Sequence, residues 1–283
     1  MNKNFQTQDA EKRLSLSFHR TFALSRDSIR VILDLASSED GGSPITNQQI
    51  LEQSNLGTIY VEAMPRYAQG CGLLSKERYK TPFGQISSKY DPLLINPSTQ
   101  WLMHYYLSAP HGPGPVFWNK LVTTLFIPGQ EFTVEDLLSC IREGNESIKS
   151  DTLSEAKTAF IGTYTKKDGL GNLELISESD DKRKYQVNYP SPPPLWAMAV
   201  AFIDYCQAQY PGASVINLSS VLDESDFAKI FMVGVRRINL MLSRMQEIGY
   251  VNLFTSVPPY GIALLQTDPI PLLEKMYVNE EPD

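Results

Sequence analysis

Near both ends of this chain, three short helical segments are followed by two strand-like runs around a turn, and this recurring order constrains the fold most. In the first copy, Asp27–Ala36 carries Ile29, Ile32, Leu33 and Ala36 at helical spacing. Thr46 is placed to cap a helix over Asn47–Gln53. A third helix is predicted over Thr58–Gly70, with Pro65 expected to end or kink it. Gly72–Ser75 leads into a strand, and Tyr79–Tyr90 holds a turn at Thr81–Gly84 and a return strand. In the second copy, helices are predicted over Leu195–Gln209, Val221–Met232 and Val235–Ile248, with strand-like runs over Gly249–Phe254 and Gly261–Gln266. This is the order of a winged helix-turn-helix, a DNA-reading fold. No residue-level repeat links the two copies.

Between them, Asn96–Ala109 and Val116–Phe126 are apolar over most of their surface, which predicts core helices. Trp101 is therefore expected in the core rather than at a base-stacking surface. Val134–Arg142 and Leu153–Thr165 read as further helices, and Lys166–Asn188 as a hairpin with an exposed charged middle, Glu178–Lys184. Tyr189–Pro194 holds four prolines and excludes regular structure except at a helix start. The predicted class is α+β, mostly α. A tail (1–16) precedes an N-terminal winged helix (17–92), a helical middle with a β-hairpin (93–190), a second winged-helix-like unit (191–278) and an acidic tail (279–283).

The net charge of −7 over 283 residues argues against a polybasic nucleic-acid coat, but the charge is uneven. Residues 1–90 hold eleven Lys/Arg and nine Asp/Glu, and residues 91–283 hold fourteen and twenty-three. The positive excess is densest where Arg66, Lys76, Arg78, Lys80 and Lys89 face only Glu77. Screening limits the reach of distant charge to about 10 Å, so such a patch can bind phosphate on an acidic protein. A solvated surface hairpin is the other reading of the same residues. In the C-terminal unit, Arg236 and Arg237 open the third helix and Arg244 follows two turns after Arg237 on the same face. Arginines there suit phosphate or guanine. Neutralisation by Glu224, Asp226 and Glu247 would instead leave a protein-binding surface.

Cys71, Cys140 and Cys206 stand far apart, which excludes a disulfide framework and a CxxC zinc site and predicts reduced, buried thiols. No run approaches the roughly 18 apolar residues of a membrane span, and the polar Met1–Leu16 predicts no secretory leader. A cytoplasmic, nucleoid-associated location is expected.

Three blocks carry more than pattern. Ser17-Phe18-His19-Arg20-Thr21-Phe22-Ala23-Leu24, the stretch from Leu56-Gly57 through Tyr67 to Gly72-Leu73-Leu74, and Asp91-Pro92-Leu93-Leu94 with Asn96–Leu107 resemble a bacterial family of unknown-function domains. That family, with its SspB-like members, is common in DNA phosphorothioation and phage-defence gene clusters. The resemblance covers about residues 17–126. It implies a winged helix near the N-terminus and a DNA-binding component of a phosphorothioation-based anti-phage system. It also implies DNA nicking to permit sulfur insertion. The implied partners are DNA, a cysteine desulfurase, an ATP-pyrophosphatase-type reductase and an ATPase. Family members often carry arginines in the third helix. Here Glu62, Pro65 and a lone Arg66 stand there, which moves the expected binding to the hairpin lysines. The alternative is a non-catalytic winged-helix adaptor or transcriptional regulator.

A nickase commonly holds a divalent metal such as Mg²⁺ between carboxylates. His19, His104 and His111 cannot build an HNH or paired-histidine site, and no P-loop is present. No cysteine pair suits sulfur relay. The remaining catalytic candidates are Asp180 and Lys182, an acid-x-Lys element, with Asp168 and Glu174 upstream as metal partners. A solvated charged turn is the competing reading. His104, in an apolar helix, is expected to be a hydrogen-bonded core residue. Arg20 either contacts phosphate or pairs with Asp27 or Glu11.

Overall fold

The computed structural model describes residues 13–143, 147–179, 183–222 and 225–278. The first helix, α1 (Arg26–Leu35), is capped by the Ser25 hydroxyl, which accepts from the Ser28 amide, and buries Ile29, Ile32 and Leu33. α2 (Asn47–Gln53) opens on a reciprocal capping box between Thr46 and Gln49. α3 (Thr58–Gly70) runs through Pro65 instead of ending there. Pro65 is itself buried beside Val61, Ala63, Met64, Tyr67 and Ala68, and this apolar face holds the helix together across the missing amide. Gly72, at φ +74°, closes α3: its amide donates to the Gln69 carbonyl and that of Leu73 to Ala68.

The expected return strand is a helix, α4 (Pro82–Tyr90). Thr81 caps it by accepting from the Gly84 amide and Pro82 takes the first turn, so the local signals favour a helix start over a strand. Gly84 is obligatory, because a Cβ there would lie 2.0 Å from the Leu73 carbonyl oxygen. In place of the expected hairpin stand a tight turn over Ser75–Tyr79 and two isolated bridges, Leu74 with Lys80 and Ser38 with Lys80.

The middle of the chain is more than helices and a hairpin. α5 (Pro97–Ser108) and α6 (Val116–Leu125) lead to β1 (Glu131–Thr133), α7 (Val134–Arg142), α8 (Ser150–Thr165), β2 (Ile176–Glu178) and β3 (Lys184–Val187). The sheet is antiparallel in the order β1-β3-β2, with Phe132 opposite Tyr185. The C-terminal part repeats the arrangement. α9 (Leu195–Gln209), β4 (Ile216–Asn217), α10 (Ser219–Leu222), α11 (Asp226–Phe231), α12 (Val235–Glu247), β5 (Val251–Phe254) and β6 (Gly261–Leu264) give an antiparallel sheet β4-β6-β5. In each sheet the strand last in sequence lies in the middle. In the first unit Lys80 likewise bridges two segments, antiparallel to Leu74 but parallel to Ser38. α7 also starts on a capping box, Thr133 with Asp136, as α2 does.

A contiguous apolar core joins the three parts. α5 lies at its centre: Trp101, 2% exposed, stacks on Phe231 of α11, and Tyr105 stacks on the same ring. α13 (Ile270–Val278) returns to the start of the chain, where the Tyr277 hydroxyl meets Thr99 of α5 and Ser87 of α4. The three thiols are buried and free. Among the described residues no helix is long and apolar enough to cross a membrane.

Candidate nucleic-acid interface

The tight turn after α3 gathers the densest positive charge. Arg78 sits at φ +71°, its backbone amide donating to the Ser75 carbonyl. Its guanidinium donates to Asn47 Oδ1 at 2.6 Å, which aims it across the start of α2. Partial burial, and then Arg66 of α3 nearby, push the Arg78 pKa down. Two like charges are thus held together, and among the described residues neither forms an ion pair. Lys76 is exposed on the same turn and Lys80 is half-buried at its exit. Like charges gathered this way are relieved by an anion.

The other basic candidates lie elsewhere. Lys89 closes α4, its ammonium 4.6 Å from the Tyr90 ring centre, and Glu274 of α13 acts on it. Arg20 pairs with Glu62 of α3 at 3.0 Å, a partner the sequence reading did not name. In α12, Arg236 is exposed, Arg237 donates to the Pro193 carbonyl at 2.7 Å and so ties down the proline-rich linker, and Arg244 pairs with Glu247 at 2.9 Å.

The acidic set is not brought together. Asp168 accepts from the Asp27 amide at 3.0 Å, which makes it a cap for α1. Glu174 lies in a left-handed turn and lines a different cleft from Asp168. Asp180 and Lys182 lie outside the described residues. Among the described residues no three carboxylate, imidazole or thiol groups gather at metal-binding distance, so Asp168 and Glu174 do not by themselves build a metal centre.

Two histidines are structural. The Ile230 carbonyl can only accept, so His104 donates to it from Nε2 at 2.9 Å, and Nδ1 accepts from the Tyr164 hydroxyl at 2.8 Å. Trp118 Nε1 donates to the same hydroxyl. Burial holds His104 at a pKa of about 4. His19 accepts from the Thr21 amide through Nδ1, and burial brings it to about 4 as well. His111 forms a cluster that the sequence reading missed: its Nε2 meets Asp204 Oδ2 at 2.8 Å, and the Tyr105 hydroxyl donates to the same oxygen at 2.9 Å. The signal was there, since Asp204 is the lone charge in the apolar run Leu195–Cys206. The cluster fastens the Pro110–Pro115 loop to α9, and Arg13 fastens it from the other side through the Ala109, Pro110 and Gly114 carbonyls.

The blocks that resemble a family are explained by the same geometry. The Asp91 carboxylate accepts from the Ile95 and Asn96 amides, and Asn96 caps α5 ahead of Pro97. The Gln100 side chain donates to the Leu94 and Ile95 carbonyls. This block builds the start of α5.

A family model described as a protein of unknown function (DUF4007) matches residues 16–276. No curated protein matches the chain. Among solved structures, an SspB crystal structure aligns with a TM-score of 0.74 at 18% identity, covering 98% of this chain and 92% of that one. A magnesium ion-bound SspB crystal structure aligns equally well at 17% identity with the same coverage. At such identity the likeness establishes the fold.

Proposed function

The chain belongs to the DUF4007 family, and we propose that it is the DNA-binding component of a phosphorothioation-based anti-phage defence system. In this reading each of the three units is a winged helix, reduced in the first to single bridges. DNA phosphates meet the first unit at Arg66, Lys76, Arg78 and Lys80. The observation that carries the reading is the basic turn after α3, where Arg78, aimed by its bond to Asn47, stands beside exposed Lys76 and half-buried Lys80 and forms no ion pair among the described residues. The family resemblance and the SspB-like fold support the phosphorothioation context. They also support a place at the nucleoid beside a cysteine desulfurase, an ATP-pyrophosphatase-type reductase and an ATPase.

Fluorescence anisotropy on a short duplex tests this. Arg66→Ala/Arg78→Ala should weaken binding about tenfold or more, whereas Arg236→Ala/Arg244→Ala should change it little. The reverse pattern would move the interface to the C-terminal unit.

Nicking is the second reading, favoured by the likeness to a magnesium-bound structure. Purified protein on supercoiled plasmid, with and without Mg²⁺, should then yield open circles, and Asp180→Ala should abolish them. Open circles formed at the parental rate by Asp180→Ala would remove the Asp168, Glu174, Asp180 and Lys182 set. Plasmid left supercoiled under all conditions would favour the non-catalytic adaptor or regulator.

A further inference from the structure

Beside α3 lies a cleft of about 350 Å³ that the duplex interface does not use. One wall is the Thr21–Ser25 segment, part of the first family-like block; the other is α8 from Lys157 to Thr165. Tyr60 of α3 and Tyr185 of β3 complete it. The wall is firmly built. The Leu24 amide donates to the Thr163 hydroxyl at 3.1 Å, and the Tyr67 hydroxyl donates to the Phe22 carbonyl at 2.8 Å. Gly162 lets α8 approach closely, since a Cβ there would meet the Ala23 methyl at 2.8 Å. At the rim, Arg20 and Thr21 both adopt left-handed conformations, at φ +47° and +74°. Two such residues in succession, one β-branched, are strained and persist only where the surrounding structure holds them.

The lining is chemically selective. Phe22 and Tyr60 form an aromatic pair, ring centres 4.4 Å apart, both only half-buried. Lys157 is half-buried, and the Lys166 stem lies over Gly162. Among the described residues neither lysine forms an ion pair. The carboxylate at the edge, Asp168, already accepts from the Asp27 amide. Thr158 and Thr165 also line the cleft, but their hydroxyls donate to the Ser154 and Ile161 carbonyls of α8, which leaves the two lysines as its cationic donors. Aromatic faces beside ammonium groups without an ion pair among the described residues suit a ligand that is planar at one end and anionic at the other. The volume falls in the range of small-ligand pockets and is far too small for a duplex.

We propose that this cleft holds one nucleotide of an unpaired DNA strand, its base against Phe22 and Tyr60 and its phosphate at Lys157 and Lys166. The proposal rests on the DNA-binding reading above and adds a second, strand-selective contact to it. Tyr60 and Arg66 lie on the same helix about 9 Å apart along its axis. The two side chains project about 120° apart around α3, so a strand leaving the duplex at Arg66 passes round the helix to enter the cleft.

The test is anisotropy of the full chain on a labelled single strand and on the matching duplex, with thymidine monophosphate as competitor. Lys157→Ala/Lys166→Ala should weaken single-strand binding about tenfold, and duplex binding far less. Tyr60→Leu should weaken single-strand binding with an unchanged salt slope, because stacking releases no counterions. Single-strand affinity that survives both variants would overturn the proposal. So would a wild-type protein that binds duplex alone, or one that binds the mononucleotide and not the strand. Single-strand binding lost in the cleft variants, in a protein with no duplex affinity, would uphold the cleft while removing the duplex interface.

Discussion

His104 stands for what residue chemistry decides in this molecule. The ring closes a chain of hydrogen bonds from Trp118 through Tyr164 to Ile230, one of the last carbonyls of α11, which lacks a helical partner. His104→Leu strands the Tyr164 hydroxyl and that carbonyl, and should cost about 2–4 kcal/mol in denaturant unfolding. The same residue sets a pH dependence. Its folded pKa of about 4 lies below the ordinary 6.5, so the unfolded chain takes up the proton first. Stability is therefore full above pH 6.5 and falls as pH drops toward 4, by roughly 3 kcal/mol for this group. His19 adds a loss of the same sign. Unfolding midpoints measured across that window should decline, and less steeply in His104→Leu. Arg26 is the other residue of this kind. Its buried guanidinium donates to the Gly169, Leu94 and Lys167 carbonyls and joins the first unit to the second. A lysine cannot reach all three, so Arg26→Lys should lose about 2–4 kcal/mol, read as a lowered Tm. The core role of His104 was legible in the sequence, because its neighbours are apolar. That of Arg26 was not, because carbonyl partners 68 to 143 residues away leave no local pattern.

At the scale of elements, period, capping and the longer strands were readable: β5 and β6 fall within the runs Gly249–Phe254 and Gly261–Gln266, and β2 and β3 within the hairpin expected in Lys166–Asn188. α2 and α3 have the bounds expected from Thr46, Asn47 and Gly70, because caps and apolar spacing are local. β1 has three residues and β4 two, too short for an alternation to register. α4 is the instructive error. Thr81-Pro82-Phe83-Gly84 is equally a turn signature and a helix start, and the choice is made by Leu73, whose carbonyl packs where a Gly84 side chain would be. Gly84→Ala should accordingly cost about 2–3 kcal/mol by overpacking and displace α4 from the turn, visible as a lower midpoint in thermal melts. The basic patch was legible as charge density from Arg66 to Lys80. That Lys89 leaves it followed from α4 being a helix, which carries that lysine to Tyr90 and the face of α13.

Over the whole molecule, two three-stranded antiparallel sheets each place their last strand in the middle, and the first unit has two isolated bridges at Lys80 instead, around a core crossed by α5. Two of the three units were visible in the sequence. The middle one was hidden because β1 is short and because α6 and α8 meet through aromatic rings, Trp118 and Phe126 on Phe160 and Tyr164, that carry no periodic signature. The charge is divided along the chain: in the first unit Arg66 and Arg78 form no ion pair among the described residues, and in the last Arg237 ties down the linker and Arg244 pairs with Glu247. The central claim is that DNA phosphates are met by α3 and the turn that follows it. Its most direct measure is the slope of log K against log salt on duplex DNA, for the wild-type chain and for Arg66→Ala/Arg78→Ala. Each lost phosphate contact lowers that slope by about 0.9, so the double variant should be shallower by about 1.8. Parallel lines for the two proteins would contradict the claim.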